Sequence, residues 1–140
     1  MTEPAQDQPF SWPVRVYWED TDAGGVVYHA SYLRFMERAR SEWLRGLGID
    51  QSALKQNTGL AFLVRDMQTD FLKSALLDDE LLVTVEVKER RAASILFTQT
   101  ITRATDGSSL IRATVRVACV DIPRMRAAPI PMDLIPVLAP

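Results

Sequence analysis

The chain changes its hydrophobic period once, and that switch limits the folds open to it. Tyr32, Phe35, Met36, Ala39 and Trp43 fall at i, i+3, i+4, i+7 and i+11, one stripe of an amphipathic helix, with Arg34, Glu37, Arg38, Arg40, Glu42 and Arg45 opposite. Gly46 and Gly48 end it, because glycine takes the left-handed backbone of a helix terminus at least cost. Beyond Gly59 the apolar spacing becomes two. Leu60 to Leu72 reads as one extended segment, and Leu81 to Glu89 alternates Val83, Val85 and Val87 with Leu82, Thr84 and Glu86. Ser94 to Arg103 sets Ile95, Phe97 and Ile101 against Thr98, Thr100 and Thr102. Ser109 to Val120 turns Ile111, Ala113, Val115, Val117 and Cys119 inward and Arg112, Thr114 and Arg116 outward. The links at Asp78-Asp79, Arg91-Ala92-Ala93 and Thr105-Asp106-Gly107-Ser108 are too short for a crossover helix, so these strands run antiparallel.

An earlier strand is expected over Val14 to Trp18, and a short helical turn from Gln51 to Gln56, closed by Asn57 and Gly59. The prediction is therefore an α+β chain: a five-stranded antiparallel sheet wrapped around one long central helix. Glu37–Arg40 and Arg38–Glu42 are spaced as ion pairs on the helix's polar face, each worth only ~0.2–0.5 kcal/mol. Residues 1–12 read as a flexible lead-in and 13–140 as a single domain; the proline-rich tail after Asp121 reads as loop. One helix covers only part of such a sheet, which predicts a homo-oligomer.

The composition, 140 residues with 16 Lys+Arg, 18 Asp+Glu and a net charge of −2, is that of a globular domain. There is no apolar run long enough to span a bilayer, and the acidic N-terminus is the reverse of a signal peptide, so a cytoplasmic location is expected. One Cys, Cys119, cannot make an internal disulfide, and with one His, His29, a multi-histidine metal site within one chain is excluded. A mildly acidic balance argues against nucleic-acid binding. Chemistry is left to carboxylates, hydroxyls and backbone groups.

Those concentrate in Glu19-Asp20-Thr21-Asp22-Ala23-Gly24-Gly25-Val26-Val27-Tyr28-His29-Ala30-Ser31-Tyr32: a strand end, an acidic turn, two glycines and a helix start. Three acids in four residues repel one another unless capped, paired or used. The helix start beside them offers unpaired N–H groups and a positive dipole end. A carboxylate next to such donors suits acyl chemistry, as base or nucleophile beside a developing oxyanion. Turn-shaping is the plainer use of Asp and Gly here. Gly-x-Ser-x-Gly and phosphate-loop spacings are both absent.

The same stretch, running on through Phe35-Met36-Glu37-Arg38-Ala39-Arg40-Ser41-Glu42, resembles the signature of the hotdog-fold acyl-CoA thioesterases. Within them the chain is most similar to the Tol-Pal-cluster type, which is related to 4-hydroxybenzoyl-CoA thioesterase. The likeness continues through Phe62-Leu63-Val64-Arg65, Leu77-Asp78-Asp79, Leu96-Phe97-Thr98-Gln99 and Cys119-Val120-Asp121. It implies a hydrolase that releases a carboxylic acid and free CoA without metal or organic cofactor. The family's catalytic carboxylate falls on Asp22, acting as nucleophile through an acyl anhydride or as the base that activates water. The carbonyl-polarising backbone N–H falls on His29, whose side chain has a lesser, orienting part.

Some relatives use a helix acid instead, a position Glu37 fills; alternatively Glu37 is an exposed partner of Arg34 and Arg40. Tyr28 is a candidate pocket wall. Arg91, in the turn before Ser94, is where the resemblance places a contact to the CoA nucleotide. The cluster Arg103, Arg112, Arg116, Arg124 and Arg126, with Lys88, Arg90 and Arg91, is a candidate phosphate platform. A homo-oligomer of dimer or tetramer type, an acyl carrier protein partner and a peripheral seat at the inner membrane are further implications. The rival readings are a non-catalytic acyl-CoA or acyl-carrier-protein binding module of the Tol-Pal envelope system, and a dehydratase or hydratase in which His29 supplies the only histidine.

Overall fold

The computed structural model describes residues 8–134. Its elements are β1 (Phe10–Arg15), a 3-10 turn (Trp18–Asp20), α1 (His29–Gly46), α2 (Gln51–Thr58), β2 (Leu60–Phe71), β3 (Glu80–Arg90), β4 (Ser94–Arg103), β5 (Ser109–Asp121) and a two-residue β6 (Arg126–Ala127). The sheet is antiparallel throughout, in the order β1-β3-β4-β5-β2, with β6 added to β5. This is the expected helix-then-strands architecture, with β6 as an unforeseen addition inside the proline-rich tail.

One face of the sheet receives α1. Tyr32, Phe35, Met36 and Ala39 of the helical stripe are buried, against Val83 and Val85 of β3, Ile95, Phe97 and Ile101 of β4, and Ile111, Val115 and Val117 of β5. Cys119 is fully buried on the same strand face, and burial pushes its thiol pKa up. α1 ends at Gly46, with Gly48 in the left-handed region at φ 85°, and α2 ends at Gly59, φ 78°.

Three expectations change. The first strand runs over Phe10–Arg15 rather than Val14 to Trp18, so Phe10–Trp12 leave the lead-in and join the sheet, Phe10 opposite Val85 and Arg15 opposite Glu80. β1 is an edge strand, where Pro13's missing N–H costs no ladder bond. Second, the pairs Glu37–Arg40 and Arg38–Glu42 do not form. Arg40 is buried and donates from Nη1 to Gln99 Oε1 (2.8 Å), Glu37 accepts from Ser41 Oγ (3.0 Å), and Glu42 pairs with Arg45. Third, Arg116 on the outer face is buried too, held by Ser94 Oγ (3.0 Å) and Glu89 (2.8 Å).

Candidate active site

Between β1 and α1 the chain makes a small closed loop. Thr21 bridges Val27, Asp22 N–H donates to Val26 O (2.9 Å), and Gly25 N–H returns to Asp22 O (3.1 Å). Gly25 sits at φ 83°, a conformation that a side chain would strain. Val26 bridges Leu76 and Val27 N–H donates to Ala75 O (3.0 Å), which ties the loop to the segment following β2.

The two aspartates of the motif have different roles. Asp20 is buried. Its Oδ2 accepts from Tyr17 N–H (2.8 Å), and its backbone carbonyl accepts from Tyr28 N–H (2.8 Å) and Ser31 Oγ (3.2 Å). Arg34 lies 3.8 Å from its Oδ1 and also donates to Ser31 Oγ. Asp20 thus fastens the loop's entry to the start of α1. Asp22 is exposed; Oδ1 accepts from Gly24 N–H (2.7 Å), and Oδ2 has no hydrogen-bond partner among the described residues. One oxygen is fixed and the other is open.

α1 begins at His29 with no side-chain cap from Tyr28. Ser31 N–H is turned back to Tyr28 O, while the N–H groups of His29 and Ala30 have no bond among the described residues. Two bare amides at the positive end of an 18-residue helix are a ready anion site. Asp22 and His29 line the same cavity, of about 300 Å³, with Val26, Tyr32, Phe71 and Lys73. Three rings line it, His29, Tyr32 and Phe71: His29 lies 6.3 Å edge-on from Phe71 and Tyr32 6.0 Å from it, while Tyr28, not itself in the lining, packs 4.5 Å from the His29 ring. Tyr32 accepts Ala75 N–H at its hydroxyl (2.9 Å), and burial raises its pKa.

A methyl at Gly24 would come 3.2 Å from Asp22 Oδ1. Gly24→Ala should therefore displace the carboxylate and lower kcat/KM several-fold, with stability changed by no more than ~0.5 kcal/mol. Parallel steady-state kinetics and thermal melts would check both halves.

The other two candidates lie apart. Glu37, exposed, lines a cavity against β2, β4 and β5 that shares no wall residue with the Asp22 cavity. Arg91 is in the β3–β4 turn, 3.3 Å from Glu89, and lines an open cleft of about 540 Å³ with Arg65 and Arg126. The broad arginine platform breaks up. Arg103 is bound to Asp79 (2.9 Å), Asp106 (3.1 Å) and Ser74 O (2.9 Å), Arg116 is buried, and Arg112 and Arg124 pair loosely with Asp70 and Asp121. Arg91 and Arg126 remain together, joined by Arg65. Lys73 and Arg65 have no signal in the sequence alone: β2 pairs along β5, which brings Arg65, at the register shift in the middle of β2, to one cavity and Lys73, just past its end, to another.

A sheet of this order, a long helix laid across it, and an acidic loop ending at that helix's start define the hotdog thioesterase fold, and the chain belongs to the thioesterase-like superfamily, whose model matches residues 16–138. It is 51% identical over 128 residues to acyl-CoA thioesterase YbgC of Haemophilus influenzae, covering 91% of this chain and 93% of that one. It is 47% identical over 126 residues to acyl-CoA thioester hydrolase YbgC of Escherichia coli, covering 90% and 92%. A 4-hydroxybenzoyl CoA thioesterase crystallised with 4-hydroxybenzoyl CoA superposes with a TM-score of 0.84 over 92% of this chain and 97% of that one; at 22% identity the likeness is one of fold. No helix among the described residues is long and apolar enough to cross a membrane.

Proposed function

We propose that the chain hydrolyses acyl-CoA thioesters at Asp22, giving a carboxylic acid and free CoA. The observation that carries this is that Asp22, with an open carboxylate oxygen, lines one cavity with His29, where α1 starts on two amides left unbonded among the described residues. The thioester carbonyl oxygen is seated on the N–H groups of His29 and Ala30, which stabilise the charge that builds there. Asp22 then acts in one of two ways. As nucleophile, its oxygen bonds to the acyl carbon, the C–S bond breaks, CoA leaves as thiolate, and water cleaves the resulting anhydride. As base, it takes a proton from the water that attacks, and the proton passes to the departing sulfur. Asp20 cannot serve in its place, because its carboxylate is buried in the loop's own hydrogen bonds.

Phe71 and Tyr32 wall the acyl group, with Tyr28 packed behind the His29 ring, and Lys73 adds a positive charge to the cavity. The cleft of Arg65, Arg91 and Arg126 receives the phosphates of CoA, with apolar floor from Val64 and Ala92 for its adenine. Arg91→Ala is expected to raise KM for acyl-CoA about fivefold at unchanged kcat, the equivalent of ~1 kcal/mol. A matched acyl-pantetheine lacking the nucleotide should show no such change.

A cytoplasmic homo-oligomer fits this reading. β2 is an edge strand, paired to β5 on one side and to no strand among the described residues on the other, with Leu63, Val64 and Phe71 exposed along it, a surface that a second copy would cover. Acyl carrier protein as a second acyl donor, a homotetramer, a seat at the inner membrane and service to the Tol-Pal envelope system rest on the sequence resemblance alone. Thiol release, followed over a panel of acyl-CoA chain lengths, tests the whole reading. Free CoA formed in step with acid supports it; tight binding with no thiol release replaces it with the non-catalytic module.

A further inference from the structure

The cavity beside Glu37 has a wall that does not suit an ordinary apolar pocket. Leu44, Phe62, Val64, Ile95, Phe97 and Val117 line it, and so does Arg40, a residue only 8% exposed. Arginine is almost never buried to this degree unless its charge is paired. Here the only partner among the described residues is the neutral amide oxygen of Gln99, reached from Nη1. Gln99 is itself committed, donating to Met36 O (3.2 Å) and Thr84 O (3.1 Å), so it holds the guanidinium in one place without neutralising it. Glu37, at the exposed rim, is turned to Ser41 and is not within ion-pair distance. Burial pulls the Arg40 pKa down, the mark of a charge deprived of water, and Glu37 opposes this from a distance.

We propose that this cavity binds a short-chain carboxylate, its head on Arg40 and its tail along the apolar wall. A carboxylate supplies the missing counter-charge in the planar, two-pronged geometry that guanidinium favours. The volume, about 210 Å³, holds roughly seven water-sized groups at ~30 Å³ each, which sets the ligand near the size of hexanoate. The site does not include Asp22, which lies in another cavity, and it shares only the rim residues Leu63 and Val64 with the cleft assigned to CoA.

Binding of hexanoate, hexan-1-ol and hexylammonium to the full chain, measured by calorimetry and ligand-observed NMR, tests it. Hexanoate should bind saturably and at least tenfold tighter than either of the others. Arg40→Met should abolish that preference. Should Arg40→Met fail to fold, Gln51→Trp, at an exposed position on the cavity rim, fills the mouth and should remove hexanoate binding while leaving the melt unchanged. Asp22→Asn should bind hexanoate as the parent does. Equal binding of acid and alcohol, preference for the ammonium on Glu37, no saturable binding, or loss of binding in Asp22→Asn each overturns the proposal.

Discussion

Asp22→Asn should lower kcat/KM for acyl-CoA by about 10²–10⁴-fold while the protein melts as before. The amide keeps the size of the side chain and the acceptor that Gly24 N–H needs, since Asp22 Oδ1 has a carbonyl counterpart in asparagine. What it loses is the unpartnered second oxygen, replaced by an NH₂ that neither attacks a carbonyl nor removes a proton. Asp22 is exposed and is joined to no cation by an ion pair among the described residues, so loss of its charge breaks no ion pair there. His29→Ala makes the complementary control. The donor attributed to His29 is its main-chain N–H, which alanine keeps, so the loss should stay within about tenfold. Equal losses in the two variants would move the chemistry onto the imidazole. Full activity in Asp22→Asn would remove Asp22 from the mechanism altogether.

Gln99→Leu should destabilise the protein by about 3–5 kcal/mol, through the charge that glutamine steadies. The two side chains have similar volumes, so packing around Met36 and Phe97 changes little. The change strips Arg40 of its one hydrogen bond among the described residues and leaves a buried guanidinium facing hydrocarbon. A melting-temperature drop on the order of 10 °C is expected for a chain of this size. Thr98→Val, one residue away on the other face of β4, should shift the melt by no more than ~2 °C. A drop of that same small size in Gln99→Leu would mean that Arg40 relaxes into solvent and that the glutamine is not what holds it.

These two residues also show where periodicity informs and where it fails. The spacing of Tyr32, Phe35, Met36 and Ala39 placed the helix face correctly, and period two placed Val83, Val85, Ile95, Phe97, Ile101 and Val115 in the core, because burial of apolar surface is what those patterns record. Arg40 looks like surface by the same rule, since periodicity assigns every charge to solvent. The signal that could have corrected it was Gln99, a polar residue in register with Ile95, Phe97 and Ile101: an inward amide needs a partner, and the helix above offers one. β1 was misplaced because an edge strand is defined by what it pairs with, and its alternation is weak. In the loop, composition did not separate Asp20 from Asp22; the resemblance selected Asp22, and the hydrogen bonds of Asp20 give the physical reason for the difference. Lys73 and Arg65 meet their cavities only through long-range pairing of β2, which no local pattern encodes.

The buried Asp20 has one more consequence. By holding Tyr17, Tyr28 and Ser31, it closes the stretch from Asp22 to His29 mainly on near neighbours along the chain, with Val26 and Val27 alone reaching to Leu76 and Ala75. The walls of the cavity are of the opposite kind: Phe71, Leu72 and Lys73 arrive from the far end of a distant strand. Bond-breaking and choice of acyl group are thus separable inheritances. Substitutions along β2 can retune which thioester fits without disturbing the apparatus that cleaves it, and this loop can be carried on many differently shaped pockets with its chemistry intact.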